Sequence, residues 1–361
     1  MSIKRLWTAG CVALLVGVGL LAGPAAFAAS SVSTVSFTSQ SLVGGATADW
    51  TIGFKASNGS GALTSGSTIT VTFPGAFSEP GAPAVTLGST FGAGCTASSS
   101  AADGPPSGSD VITVTLGSGC SLAKGASGSV KLAGLTNAPV GTYQASTFKV
   151  STSSDTTPDS PSSAITLTSG AASKLAFVQG PSSGYVGTPL TPAITVQVQD
   201  QVGNPVAASG VTITLAPSVG EISGASANTD ATGKATFNAV VINPAALGIT
   251  LTASSSGLTS TAPSTSFNVT VAVSSGATLS SNPTDVGGSG VKSVAYYYCA
   301  GYSGTCTSAN WTLIGSTTAA NYQVTWTGQP ANGAYRVVAV STDNVSNVSQ
   351  PSGSTPVTVV N

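Results

Sequence analysis

The sequence predicts an all-β chain of three β-sandwich modules in tandem behind a leader. Three observations carry this reading. Apolar and small polar residues alternate with period two in run after run, the period of a strand with one buried face. Each run is short and ends at Gly, Pro, Asn or Asp, the residues that turns require. The chain has 361 residues, more than one ordinary domain, and the runs fall into three sets.

Composition narrows the class. Only 6% of residues are charged, while mean hydropathy is +0.33. Few charges and so mild a hydropathy do not by themselves require a folded chain, but Val, Ile, Leu and Thr recur here with period two, an order that disordered segments lack. Residues 1–29 read as a secretory signal peptide. Lys4 and Arg5 form a positive start, Val12–Ala22 an apolar stretch, and Ala26-Phe27-Ala28 a small-x-small cleavage site. The exported chain is then expected to begin at Ala29 or Ser30. The apolar run is too short for a lasting transmembrane anchor, and Cys11 precedes it, which is the wrong side for lipidation. No later segment is apolar enough to span a bilayer, and the PVTVVN terminus carries no sorting signal, so covalent wall anchoring is not expected. A secreted or extracellular protein, associated with a cell surface, is the expectation.

Net charge is −1, and loss of Lys4 and Arg5 with the leader makes it −3. Nucleic acid and anionic membranes both demand clustered Lys and Arg, so neither is an expected partner. With Cys11 removed, four cysteines remain: Cys95, Cys120, Cys299 and Cys306. An even count in an exported chain predicts two disulfides, and clustering favours Cys95–Cys120 and Cys299–Cys306 among the three pairings. Zinc is a poor reading: the chain has no histidine and neither pair has CxxC spacing.

The first module is expected over residues 30–168. Its strands are predicted at Val32–Thr38, Ala48–Ala56, Thr68–Phe73, Ala84–Leu87, Asp110–Leu116, Gly128–Leu135 and Gly141–Val150, with a last one at Ala164–Leu167. Phe91–Asp110, rich in Ser, Ala, Gly and Pro, is expected as an exposed loop whose start Cys95 ties to Cys120. The middle module, 172–270, opens KLAFVQGPSSGYVGTPLTPAITVQVQD, turns at Gly203-Asn204-Pro205, and continues through Gly210–Pro217, Gly233–Ile242, Gly248–Leu258 and Thr265–Thr270. The third module, 271–361, holds Ser289–Cys299, Asn310–Ser316, Tyr322–Gly328, Gly333–Asn344 and Thr355–Asn361, and is the richest in aromatic residues. The links are short, which predicts modules that touch end to end.

A stretch in each of the three modules resembles a known kind of module. Lys174-Leu175, the Val198-Gln199-Asp200 turn into Gly203-Asn204, and Thr229, Gly233 and Ala235-Thr236-Phe237 resemble the invasin-related bacterial immunoglobulin-like modules. Asp285 to Val291, Trp311, Gly333 to Tyr335 and Ala339 to Asp343 resemble a second bacterial immunoglobulin-like module, with an extra residue after Asp285 and Ser346-Asn347 in place of Gly-Asn. Gly134–Tyr143 and Val150–Pro158 resemble a type of module seen in bacterial exported proteins with no chemistry attached to it. The resemblance implies immunoglobulin-like sandwiches that act as spacers or binding faces.

Chemistry is sparse. Without histidine, Ser-His-Asp and Cys-His arrangements are excluded. Glu79 and Glu221 sit at turns, and no carboxylate pair shares a strand frame as glycoside hydrolysis would require. No strand-to-helix glycine loop is present to cradle a phosphate, and no cofactor is expected. Calcium at module ends could draw on Asp155 with Asp159, or on Asp285 with Asp343, but two carboxylates fall short of its needs. Tyr296, Tyr297, Tyr298 and Tyr302, with Trp311 and Trp326, could form a sugar-stacking platform, or serve as core. Strand alternation buries about half of them, and a sandwich Trp is ordinarily core. Tyr297, Tyr302 and Trp311 are the candidate ligand contacts. The sequence therefore predicts a non-catalytic exported bacterial protein, acting as spacer or adhesin-like binder. The alternative is a carbohydrate-binding accessory protein held non-covalently on wall or polysaccharide. Cell-wall glycan, polysaccharide or a surface protein are the partners in view.

Overall fold

A computed structural model describes residues 30–104, 109–285 and 288–361. Residues 1–29, on which the expected leader with Lys4, Arg5 and Cys11 falls, residues 105–108, the pair 286–287 within the Asp285–Val291 motif, and the side chain of Asp103 lie outside the described residues. The fold is all-β, with β-sandwich units in tandem around three buried clusters.

In the first unit the alternating runs become two facing sheets. One orders Ser33–Ser39, Thr47–Lys55, Ser127–Thr136 and Val85–Leu87; the other orders Lys149–Thr152, Thr68–Pro74, Ser109–Leu116 and Ala97–Gly104. Period two holds along each strand, with Ala48, Trp50, Ile52 and Phe54 buried on one and Ile69, Val71 and Phe73 on another. Ile69 stands opposite Val114 and Val71 opposite Ile112, so these strands are neighbours with one common buried face. Phe37, Trp50, Phe73, Phe77 and Phe148 fill the middle, mostly edge to face at 5.2–6.4 Å, spacings that add to simple burial.

Two local expectations are corrected here. The stretch expected as a loop from Phe91 contains the strand Ala97–Gly104, paired residue for residue with Ser109–Leu116. Its Ser and Ala residues have weak strand preference, but the partner ladder satisfies their backbone groups, and cross-strand pairing outweighs intrinsic preference. The single strand expected over Gly141–Val150 is two strands, Gly141–Tyr143 and Lys149–Thr152, separated by a 3₁₀ turn at Ala145–Thr147. The first piece pairs Ile165–Leu167 and the second pairs Thr68–Pro74, so the chain changes sheets within this run. Period two cannot show such a switch, because alternation continues on both sides of it.

The second unit packs Lys174–Gln179, Ile194–Gln199 and Lys234–Phe237 against Ser226–Asn228, Thr212–Pro217 and Leu251–Ser254. Gly233 turns the chain into Lys234–Phe237 at φ +79°, and a Cβ there would meet the Val206 carbonyl at 1.9 Å. Only glycine fits both demands.

The strand Phe267–Val273 joins the second and third units. Its first half pairs Gly184–Tyr185 and Ala246–Ile249 of the second unit, while Val271–Val273 pair in parallel with Val357–Val359 of the third. The sheet continues through Thr355–Val359, Gly333–Asp343, Val291–Ala300 and Thr312–Thr317. Ala277–Leu279 and Val324–Trp326 cover it from the other side, with Trp326 buried.

Candidate functional site

Alternation on the strand Val291–Ala300 divides the aromatic residues between two faces. Val294 and Tyr296 are buried inward, where the Tyr296 hydroxyl donates to the Tyr322 carbonyl at 2.6 Å. Tyr298 follows on the same side, half-buried, with its ring 5.3 Å from Trp326. These three and Trp326 are core. Tyr297 points to the outer face, opposite Leu313 and Val338 on the flanking strands. Trp311 lies over it, the ring centroids 4.9 Å apart and the planes 27° from parallel. Both rings are half-buried, and each covers one face of the other. Leu313 beside them is 58% exposed. Tyr302 is placed elsewhere, half-buried with its hydroxyl bonded to Thr358 near the junction with the second unit. The structure thus brings Tyr297 and Trp311 together and sets Tyr302 apart.

The outer face is stiffened by a disulfide and a guanidinium. Cys299, two residues along from Tyr297, pairs with Cys306 at a Cα separation of 5.8 Å. Arg336 stands opposite Cys299 on the neighbouring strand and is 8% exposed. Its Nε, Nη1 and Nη2 donate to the carbonyls of Gly301, Gly304 and Ser303 at 2.9–3.0 Å. A charge held by three carbonyls fixes the loop that leads to Trp311. Sequence reading passed over Arg336; the signal was a lone charge inside the apolar run GAYRVVAV. Cys95 and Cys120 form the other disulfide, at a Cα separation of 4.7 Å.

A second constellation sits between the first and second units. Asp200 is buried, and its Oδ1 accepts from the amides of Val202, Gly203 and Asn204 at 2.8–3.1 Å. Its Oδ2 accepts from Asn204 Nδ2 and, at 2.8 Å, from the amide of Gly170 in the linker. Asn204 Nδ2 also donates to the Gly44 carbonyl of the first unit at 2.7 Å. Burial pushes the Asp200 carboxyl up, but the hydrogen bonds from Gly170, Asn204 and Gly203 outweigh it and hold the group below the usual aspartate range. The contact runs on into the first core: Asn137 Nδ2 donates to the carbonyls of Ser41 and Val43, and its Oδ1 accepts from Trp50 Nε1 at 2.9 Å. The junction is therefore locked by directional bonds. The same D-x-V-x-N spelling recurs at Asp343–Asn347, where Asp343 Oδ1 accepts from the amides of Val345 and Asn347. That repeat was the signal available in sequence.

The carboxylates are dispersed over the described residues. Among the described residues no group of three or more His, Cys, Asp or Glu comes together. Asp285 Oδ2 accepts from Ser289 Oγ and the Gly290 amide, and Asp343 is taken up by its own turn. Asp49 is held below its usual range by Lys131, 2.8 Å away, and by the Gly134 amide. Glu221 is exposed on the short strand Glu221–Ser223. No helix of the described residues is long and apolar enough to cross a membrane.

No protein-family model matches the chain, and no curated protein matches it. Solved structures similar to parts of it include a C-terminal fragment of intimin in complex with the translocated intimin receptor, at 12% identity and TM-score 0.20, covering 52% of this chain and 64% of that one. The Yersinia pseudotuberculosis adhesin InvE is 18% identical at TM-score 0.22, over 67% of this chain and 60% of that one. The Escherichia coli adhesin FdeC is 17% identical at TM-score 0.25, over 93% and 100%. At these TM-scores the likenesses carry no functional argument.

Proposed function

We propose that this is a non-catalytic exported bacterial protein that holds a binding face away from a surface, an adhesin-like module on a stiff stalk. The observation that supports it most is the pair of junctions. Asp200 and Asn204 tie the first unit to the second through directional bonds, and Phe267–Val273 belongs to the sheets of both the second and the third. A chain that works by spacing benefits from junctions that do not swing.

The binding face we assign is the outer face of Val291–Ala300 and its neighbours, carrying Tyr297, Trp311 and Leu313. The stack leaves a compact aromatic-aliphatic patch rather than two open coplanar rings. Such a patch suits a surface protein better than a sugar, which seeks a free ring face. Purified residues 30–361 tested against a glycan array, wall fragments and whole cells distinguish the outcomes. Binding to cells that Leu313→Glu and Trp311→Ala each weaken at least tenfold is expected. Retention on purified glycan abolished by Trp311→Ala selects the carbohydrate-binding alternative. Turnover of polysaccharide or peptide that is lost on changing Asp49, Glu79, Asp103 or Glu221 overturns the non-catalytic reading.

A further inference from the structure

The third sandwich is covered unevenly. Its main sheet sets Phe267–Val273, Thr355–Val359, Gly333–Asp343, Val291–Ala300 and Thr312–Thr317 side by side, while among the described residues only Ala277–Leu279 and Val324–Trp326 face it. Tyr298 and Trp326 fill one half of the space between. In the other half the strand Gly333–Asp343 presents Val337, Ala339, Ser341 and Asp343, every second residue. Val337 stands opposite Tyr298, Ala339 opposite Tyr296 and Ser341 opposite Val294. Opposite residues of an antiparallel pair share a face, so this row points inward. Its small side chains leave the face open.

Three clefts follow the row. One of about 300 Å³ lies over Val273, Val337 and Val357, one of about 370 Å³ over Ala339 and Ser341, and one of about 300 Å³ over Ser341 and Asp343. Ser281, Ala339 and Ser352 line both of the first two, and Thr284, Ser341 and Ser349 both of the last two, so the clefts form one groove. From Val337 to Asp343 the strand advances about 20 Å, at about 3.3 Å per residue. The groove has the length of a short strand.

Its two walls differ. Along 277–285 the odd residues are half-buried and the even ones exposed, the alternation of an extended chain. Among the described residues the main chain of 280–284 makes no hydrogen bond. An extended edge with unpaired main-chain groups is what an added strand pairs with. The opposite wall is already tied to the floor: Ser349 Oγ accepts from the Ser341 amide at 3.0 Å and Ser352 Oγ from the Ala339 amide at 2.9 Å. Charge is graded along the groove. No ionisable side chain but Tyr296 lines the first two clefts, whereas Asp285 and Asp343 line the third. Burial pushes the Asp343 carboxyl up, but hydrogen bonds from Asn347 and the Val345 amide hold it below the usual aspartate range, so it is charged at neutral pH.

We propose that this groove docks an extended segment of a partner polypeptide, which pairs its main chain with residues 280–284, lays aliphatic side chains over Val337 and Val357, and sets a lysine or arginine against Asp343. Side chains of a strand alternate, so every second residue of the segment enters the groove. The site lies on the inner side of the strand Val291–Ala300, away from the Tyr297–Trp311 stack on its outer face.

The probes are two short peptides of alternating Val and Thr, one with Lys at its amino end and one with Lys at its carboxyl end, which cover both strand directions. Titrated calorimetrically against residues 30–361, one of them is expected to bind. Glu in place of its Lys should weaken binding about tenfold. Asp343→Asn should weaken the Lys peptide and not the Glu peptide, and Ala339→Phe, which fills the floor, should abolish binding of both. Should either variant unfold the third unit, amide exchange on the wild-type chain decides alone: the bound peptide should slow exchange within 280–284 and leave 301–311 unchanged. Failure of both peptides to bind overturns the proposal, as does binding indifferent to Lys or Glu, or binding that leaves 280–284 unprotected. Protection of 280–284 by a neutral xylan hexasaccharide and by neither peptide assigns the groove to sugar and overturns it as well.

Discussion

Asp200 shows how much one side chain can decide. Four amide or amino groups of its own turn and one from the linker converge on its carboxylate, so the turn and the junction depend on the same charge. Asp200→Ala strands these donors in a buried place and is expected to cost about 2–4 kcal/mol; equilibrium denaturation measures it. The pH dependence has a definite sign. A carboxyl held below the usual range contributes stability that is fully present above the ordinary aspartate value, about 3.9, and is lost as pH falls through the folded value. Stability should hold from pH 7 to about 5 and fall in acid, and Asp200→Asn should flatten that part of the fall. Arg336 is the comparable residue at the other end. Arg336→Met keeps the stem but frees the carbonyls of Gly301, Ser303 and Gly304. Amide exchange should quicken in residues 301–311 and not in the strand Thr68–Pro74.

Among the elements, the two disulfide loops do different work. Cys95–Cys120 closes a sequence separation of 25 and Cys299–Cys306 one of 7. The chain-entropy relation gives about 3–4 kcal/mol for the first and about 2.5 kcal/mol for the second. Mapping without reduction should recover both pairs, and paired Ser substitutions should cost these amounts in the first and third units respectively. The strand Ala97–Gly104 was not legible because its residues are small and polar. Its stability comes from the ladder on Ser109–Leu116, which is a non-local fact. The switch between Gly141–Tyr143 and Lys149–Thr152 was hidden for a related reason: alternation says which side chains face inward, not which sheet holds them.

For the whole molecule, three sandwiches with fixed junctions imply a definite shape in solution, which we propose is a row. A single compact globule of about 330 residues would have a radius of gyration near about 20 Å. A scattering value clearly above that is expected, and one at the globular value overturns the row. Weakening the first junction with Asn204→Ala should broaden the scattering-derived distance distribution while each unit keeps its own melting transition.

The sequence by itself determined the β class, the position of most strands, the cysteine pairing and the absence of histidine. These depend on residue type and on spacing along the chain, and period two with turn punctuation records them directly. It also split Tyr296 and Tyr298 from Tyr297 correctly, since neighbouring strand residues must face opposite ways. Only the tertiary structure decided that Trp311 covers Tyr297, that Tyr302 belongs to the second junction, and that Phe267–Val273 serves two units. It alone placed Asp200 and Asn204 against the linker and the first unit. Each of these joins residues far apart in the chain, through contacts set by how sheets stack and turns meet, and no local pattern encodes them.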